Sequence, residues 1–130
     1  MAIMIPDVGE VLALKLIVNK TAQADLRLHL FSNSVTPAES DTILTYTENA
    51  ESGYAAATLT GSSWSVSNGG GTTTGTYPQV DFTFDEAATI NGWFITDSSD
   101  TILMMSQAFN ETVNILSTGT CSVILNVTLE

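Results

Sequence analysis

Residues 91–109 carry two runs, 93–96 and 102–109, that are apolar at nearly every position and are separated by Asp97-Ser98-Ser99-Asp100. Short polar side chains of that kind hydrogen-bond their own backbone and so initiate turns. β-Branched and aromatic residues on either side of such a cluster predict a β-hairpin with a loop of four or five residues. Because the runs are apolar continuously and not at alternate positions, both faces of this hairpin are expected to be covered. It is therefore predicted to be the centre of a layered β structure, with the rest of the chain supplying a second layer, the edges and an N-terminal appendage.

Shorter alternating segments fit around that centre. Residues 25–32 place Leu26, Leu28 and Leu30 on one face and Arg27, His29 and Phe31 on the other, which predicts a strand buried on one side. Val80, Phe82 and Phe84 alternate in the same way, and Cys121, Val123, Leu125, Val127 and Leu129 line one side of a long closing strand. Residues 53–60 and 63–67 are two further strand candidates. Residues 43–46 fit either a short strand or an ordered piece of loop, and residues 113–116 form another short run. Residues 33–42, which include Pro37, read as a surface excursion, and the glycine-rich stretch 68–76 as a flexible loop. No Gly-Lys-Ser/Thr follows the glycines, so they are no phosphate cradle. Eight or so short strands separated by turns predict an all-β domain spanning 1–130, a β-sandwich or jelly-roll-like barrel over 25–130.

The N-terminal segment has a different periodicity. Val11, Leu14, Ile17 and Val18 recur at three- and four-residue spacing, with Asp7 placed to cap and Glu10 to complete a capping box. This predicts one short helix within 7–20, plugging an end of the β structure or lying between subunits; a strand over 11–18 is the competing reading. Residues 1–6, apolar and closed by Pro6, are either a disordered start or an arm that packs on a neighbour.

Composition restricts what such a body can do. Of 130 residues, 13% are charged, about half the usual share, while 44% are hydrophobic. Mean hydropathy is +0.22, yet no run approaches the roughly 18–20 apolar residues that span a membrane. Surplus apolar surface on a chain with few charges predicts burial in an assembly. Net charge is −11, and the only cations besides His29 are Lys15, Lys20 and Arg27. That balance argues against nucleic acid and anionic membranes as partners. The single Cys121 permits no intrachain disulfide and no cysteine-based metal cluster. The N-terminus has no basic n-region, which predicts synthesis in a reducing cytoplasm and leaves the Asn-x-Thr triplets at Asn19, Asn110 and Asn126 as chance.

Positive signs of catalysis are missing from the residue pattern. His29 is the single histidine, no Gly-x-Ser-x-Gly elbow is present, and the expectation is a half-exposed strand histidine. Acidic residues fall in turns, at 39 and 41, 48 and 51, 85 and 86, and 97 and 100, where solubilisation is the ordinary role. The 97–100 turn could hold calcium but lacks the spacing and glycine of an EF-hand. Trp64, Tyr77 and Trp93 could form a platform for sugars; Trp93, in the densest apolar run, is expected in the core and Trp64 nearer the surface. Cys121 is expected to be an inert core thiol. Neither an enzyme nor a bound cofactor or metal is predicted.

Several segments together resemble small structural proteins of tailed bacteriophages. They are Ile5-Pro6-Asp7-Val8-Gly9-Glu10, Asn19-Lys20-Thr21-Ala22, Leu26-Arg27-Leu28-His29-Leu30-Phe31-Ser32-Asn33, Thr36-Pro37-Ala38-Glu39-Ser40-Asp41-Thr42, Gly53-Tyr54-Ala55-Ala56, Leu59-Thr60-Gly61-Ser62-Ser63-Trp64 and Gly92-Trp93-Phe94-Ile95-Thr96. The resemblance implies a capsid decoration (cement) protein, made in the bacterial host cytoplasm, that coats the outside of the head, commonly as a homotrimer. Its partners would be the major capsid protein and further copies of itself. A tail or fibre component and a carbohydrate-binding β module are the alternatives. Candidate interface residues are Ile3, Met4, Ile5 and Pro6 of the arm, with Phe31, Pro37, Trp64 and Tyr77.

Overall fold

The computed structural model describes residues 2–129. One helix, α1 (Asp7–Ile17), precedes seven strands: β1 (Leu26–Phe31), β2 (Ala57–Leu59), β3 (Ser65–Gly69), β4 (Thr72–Phe84), β5 (Ala88–Thr96), β6 (Leu103–Ile115) and β7 (Gly119–Leu129). They form two antiparallel sheets, one ordered β2-β1-β5-β6 and the other β3-β4-β7. The fold is an all-β sandwich with one short helix, and no closed barrel forms among the described residues.

The predicted central hairpin is β5–β6, with Ile95 opposite Met105 and Phe94 opposite Ser106. One face of its sheet meets the second sheet in the main core, where Leu28, Leu30, Ile90, Trp93 and Ile95 pack with Phe82, Phe84, Cys121, Val123 and Leu125. The other face is covered by the excursion after β1. There Tyr46, Val35 and Ile43 pack on Phe31, Phe94, Leu103 and Ala108 in a second apolar cluster.

That second layer corrects the reading of β1. Alternation left Arg27, His29 and Phe31 on an open face, but His29 and Phe31 are both buried. The excursion folds back so that Ser32 N–H donates to the Thr47 carbonyl and Asn49 N–H to that of Leu30. Residues 43–45 are a 3₁₀ turn in that cover, capped by Thr42, and not a strand.

Three further expectations shift. The stretch at 68–76 is no flexible loop: it is the end of β3, a two-residue turn and the start of β4, where Gly70 and Gly71 have φ of 61° and 87°, a region that L side chains seldom adopt, and pairing runs from Gly69↔Thr72. Segment 53–60 yields only the three residues of β2. Residues 110–115 continue β6 and do not start a separate strand. Pro78 lies where the β4–β7 register slips between Tyr77 and Val80, a position that needs no ladder N–H.

Helix α1 forms, but Pro6 is its N-cap, with no side-chain cap bond, so the Asp7–Glu10 capping box is absent. The helix ends in a Schellman turn: Asn19, with φ of 57°, donates to the Leu16 carbonyl and Lys20 N–H donates to that of Lys15. Gly9 and Leu12 face the sandwich, and a Cβ at Gly9 would sit 2.3 Å from the Met104 carbonyl oxygen. Glycine there lets the helix backbone lie directly on β6.

Candidate functional site

The densest polar constellation is built on β1. Alternate positions of a strand share one face, so Arg27 and His29 project together, and β1–β5 pairing sets Arg27 opposite Thr96 and His29 opposite Phe94. The turn after Thr96 brings Asp100 to both: its carboxylate pairs with Arg27 and lies 3.0 Å from His29 Nε2. Thr96 Oγ1 is 2.9 Å from the same nitrogen and donates to Asp100. On the other side Nδ1 is 2.7 Å from Glu48 Oε2. Tyr54 donates its hydroxyl proton to that same oxygen at 2.7 Å and accepts Leu30 N–H at 3.0 Å.

The electrostatics of the cluster follow from those contacts. Burial pushes the Glu48 carboxyl upward, but hydrogen bonds from His29 and Tyr54 and the nearby charges of His29 and Arg27 outweigh it and hold Glu48 below the ordinary range. Burial chiefly raises the Tyr54 phenol, and Tyr46 is raised for the same reason. Asp97 stays low: burial works against ionisation, while Ile102 and Thr101 N–H groups and the Thr101 hydroxyl favour the carboxylate. His29 is therefore not the half-exposed histidine expected from alternation. Both ring nitrogens have oxygen partners, and the ring is stacked on Phe94 beneath the excursion. A general base must reach the proton it removes; the His29 ring is 2% exposed, with both its nitrogens already in contact with side-chain oxygens.

The acids are used likewise. Asp97 and Asp100, considered for calcium, are committed to the turn and to the Arg27–His29 pair, and no group of three or more metal-ligating side chains converges among the described residues. The sequence signals were present in part: Arg27 and His29 at alternate positions and an acid after Thr96. What was missing was the β1–β5 register that joins them.

The predicted interface residues scatter. Phe31 is wholly enclosed by its own chain, because the excursion covers that side of β1, and so is not an interface residue. Pro6 is likewise buried where the arm enters α1. Ile3 and Ile5 pack on the main core of their own chain and Met4 exchanges backbone hydrogen bonds with Ser106, so the arm lies along the β6 edge; Met1 falls outside the described residues. Tyr77 is buried, its hydroxyl accepting Thr60 N–H. Trp64 meets it edge-on, with centroids 5.1 Å apart and planes at 66°, so the two form no flat platform. Pro37 and Trp64 remain half-buried. Trp93 and Cys121 lie in the core as expected.

A row of large apolar side chains that the sequence did not place in the open stands along α1, besides Leu44, Val66, Leu116, Ile124 and Leu129 elsewhere. Val8, Val11, Leu14, Ile17 and the C-cap residue Val18 are 38, 54, 60, 79 and 63% exposed. The helix also roofs a groove of about 240 Å³ lined by Leu12, Leu16, Leu26, Ser98 and Ile102. No helix among the described residues is long and apolar enough to cross a membrane. Comparison with family models, with curated proteins and with solved structures finds no match for this chain.

Proposed function

We propose that this chain is a phage virion structural protein, a decoration protein that binds the outer surface of the head and stabilises its lattice. The observation that carries the reading is a two-sheet body with its one histidine held between carboxylates, while large aliphatic side chains stand outside on α1. Such a body offers shape and contact surface in place of a reactive group. The phage assignment itself comes from the sequence resemblance, which covers the first turn of α1, the connector after it, β1, part of the excursion, residues 53–56 and 59–64, and the second half of β5. A net charge of −11 suits an outward-facing coat and opposes contact with packaged nucleic acid. Binding only the assembled lattice would stabilise it by mass action.

The edge-on Trp64–Tyr77 pair weakens the carbohydrate-binding alternative, since stacking on sugars needs an exposed flat ring. Counting copies in purified virions tests the proposal against a tail role. Many copies spread over the head are expected, along with greater heat resistance when purified protein is added to undecorated heads. A small ring of copies confined to the tail overturns it.

A further inference from the structure

We infer that the exposed face of α1 is a coiled-coil-like seam on which the α1 helices of further copies of this chain dock in parallel. This deepens the preceding reading by naming the surface through which copies associate; its test uses the isolated chain, so it fails or holds separately from attachment to a head.

The residues turned away from the sandwich follow a heptad. With Val11 and the C-cap residue Val18 at position a and Leu14 at d, the apolar seam is flanked by Glu10 and Ile17 at g and by Val8 and Lys15 at e, and the same register sets the exposed Asp7 at d in the first turn. On the other side Gly9, Leu12 and Leu16 face the body or its groove, whose rim Val8, Val11 and Lys15 share. The helix thus has two apolar faces, and its own chain covers one of them.

Charge selects the occupant and its direction. Glu10 and Lys15 are both exposed and make no ion pair among the described residues. Their five-residue offset from g to e is the one at which a side chain meets its counterpart on a parallel neighbour, so each Glu10 would face a Lys15 of the next copy. In an antiparallel pair like flanks meet, setting Glu10-bearing flanks together and Lys15-bearing flanks together. Arg27 is spent on Asp100, which leaves Lys15 and Lys20, on α1 and its end, as the cations that lessen repulsion between bodies of charge −11. An isolated helix of 11 residues would be marginal in water, but Gly9 and Leu12 already hold this one on the sandwich, so docking does not have to order it.

Light scattering of the purified chain on a sizing column is expected to give a cyclic oligomer. Leu14→Glu should reduce it to monomer with an unchanged far-ultraviolet spectrum. Glu10→Lys and Lys15→Glu should each weaken association about tenfold, and the double exchange should restore it. Direction is read with Val18→Cys: mild oxidation should link position 18 to position 18 of a neighbour, since parallel helices bring equivalent residues together. In an antiparallel pair centred on Leu14 the two positions would lie about 12 Å apart along the axis, too far for a disulfide. Wild-type chain that is monomeric, an oligomer indifferent to Leu14→Glu, or an oligomer in which the Val18→Cys variant fails to cross-link would each overturn the inference.

Discussion

The imidazole of His29 lies flat on the ring of Phe94, with centroids 4.7 Å apart and planes 9° from parallel. The two are directly opposite on β1 and β5, and Tyr46 stacks on Phe94 as well, at 5.4 Å. The histidine therefore belongs to an aromatic stack and at once is the hub of a hydrogen-bonded cluster that holds Glu48, Thr96 and Asp100. It joins β1, the excursion at Glu48 and the 97–100 turn.

His29→Ala removes a member of the stack and leaves Glu48 and Asp100 without their shared partner. A loss of about 3 kcal/mol of folding stability is expected, measured by urea unfolding at neutral pH. A variant as stable as wild type would show that the cluster contributes nothing to the fold.

Glu48 is more acidic in the folded chain than in the unfolded one. The unfolded chain accordingly takes up its proton first as pH falls, and the stabilisation is full above the ordinary carboxyl value and is lost as pH drops through the folded value. The midpoint of thermal unfolding should fall below about pH 4.5, and Glu48→Gln should flatten that part of the profile while lowering the plateau above it. A profile identical in the two proteins contradicts the assignment.

Two glycines separate local from global effects. A Cβ at Gly92 would meet the Gln107 carbonyl at 2.3 Å and the Phe31 ring at 2.5 Å, inside the β5–β6 pairing and the second core. Gly92→Ala should cost about 2 kcal/mol or more of global stability. At Gly9 the same methyl strikes the Met104 carbonyl but touches only the helix seat, so Gly9→Ala should raise amide exchange in α1 with little change across β4–β7. Equal exchange changes in both regions would refute the distinction.

Cys121 faces the main core, and burial pushes its thiol up. A thiol that is neither ionised nor exposed reacts slowly. Labelling by a thiol reagent should track unfolding by denaturant, with none in the native protein. Immediate labelling of folded chain would place Cys121 elsewhere.

The sequence alone determined the layers. Unbroken apolar runs around Asp97–Asp100 required a hairpin covered on both sides, alternation marked β4 and β7, and three- and four-residue spacing marked α1, because those signals are local and follow from strand and helix geometry. Tertiary structure decided which faces were free. Alternation cannot know that residues 32–49 return over β1, so it left His29 and Phe31 in the open. It could not know either that α1 turns Gly9 and Leu12 inward, leaving Val11, Leu14 and Val18 outside. The ion-pair cluster likewise needed the β1–β5 register, which unites Arg27 and Asp100 across 73 positions. Contacts at that separation are set by which surfaces pack best, and no local spacing encodes them.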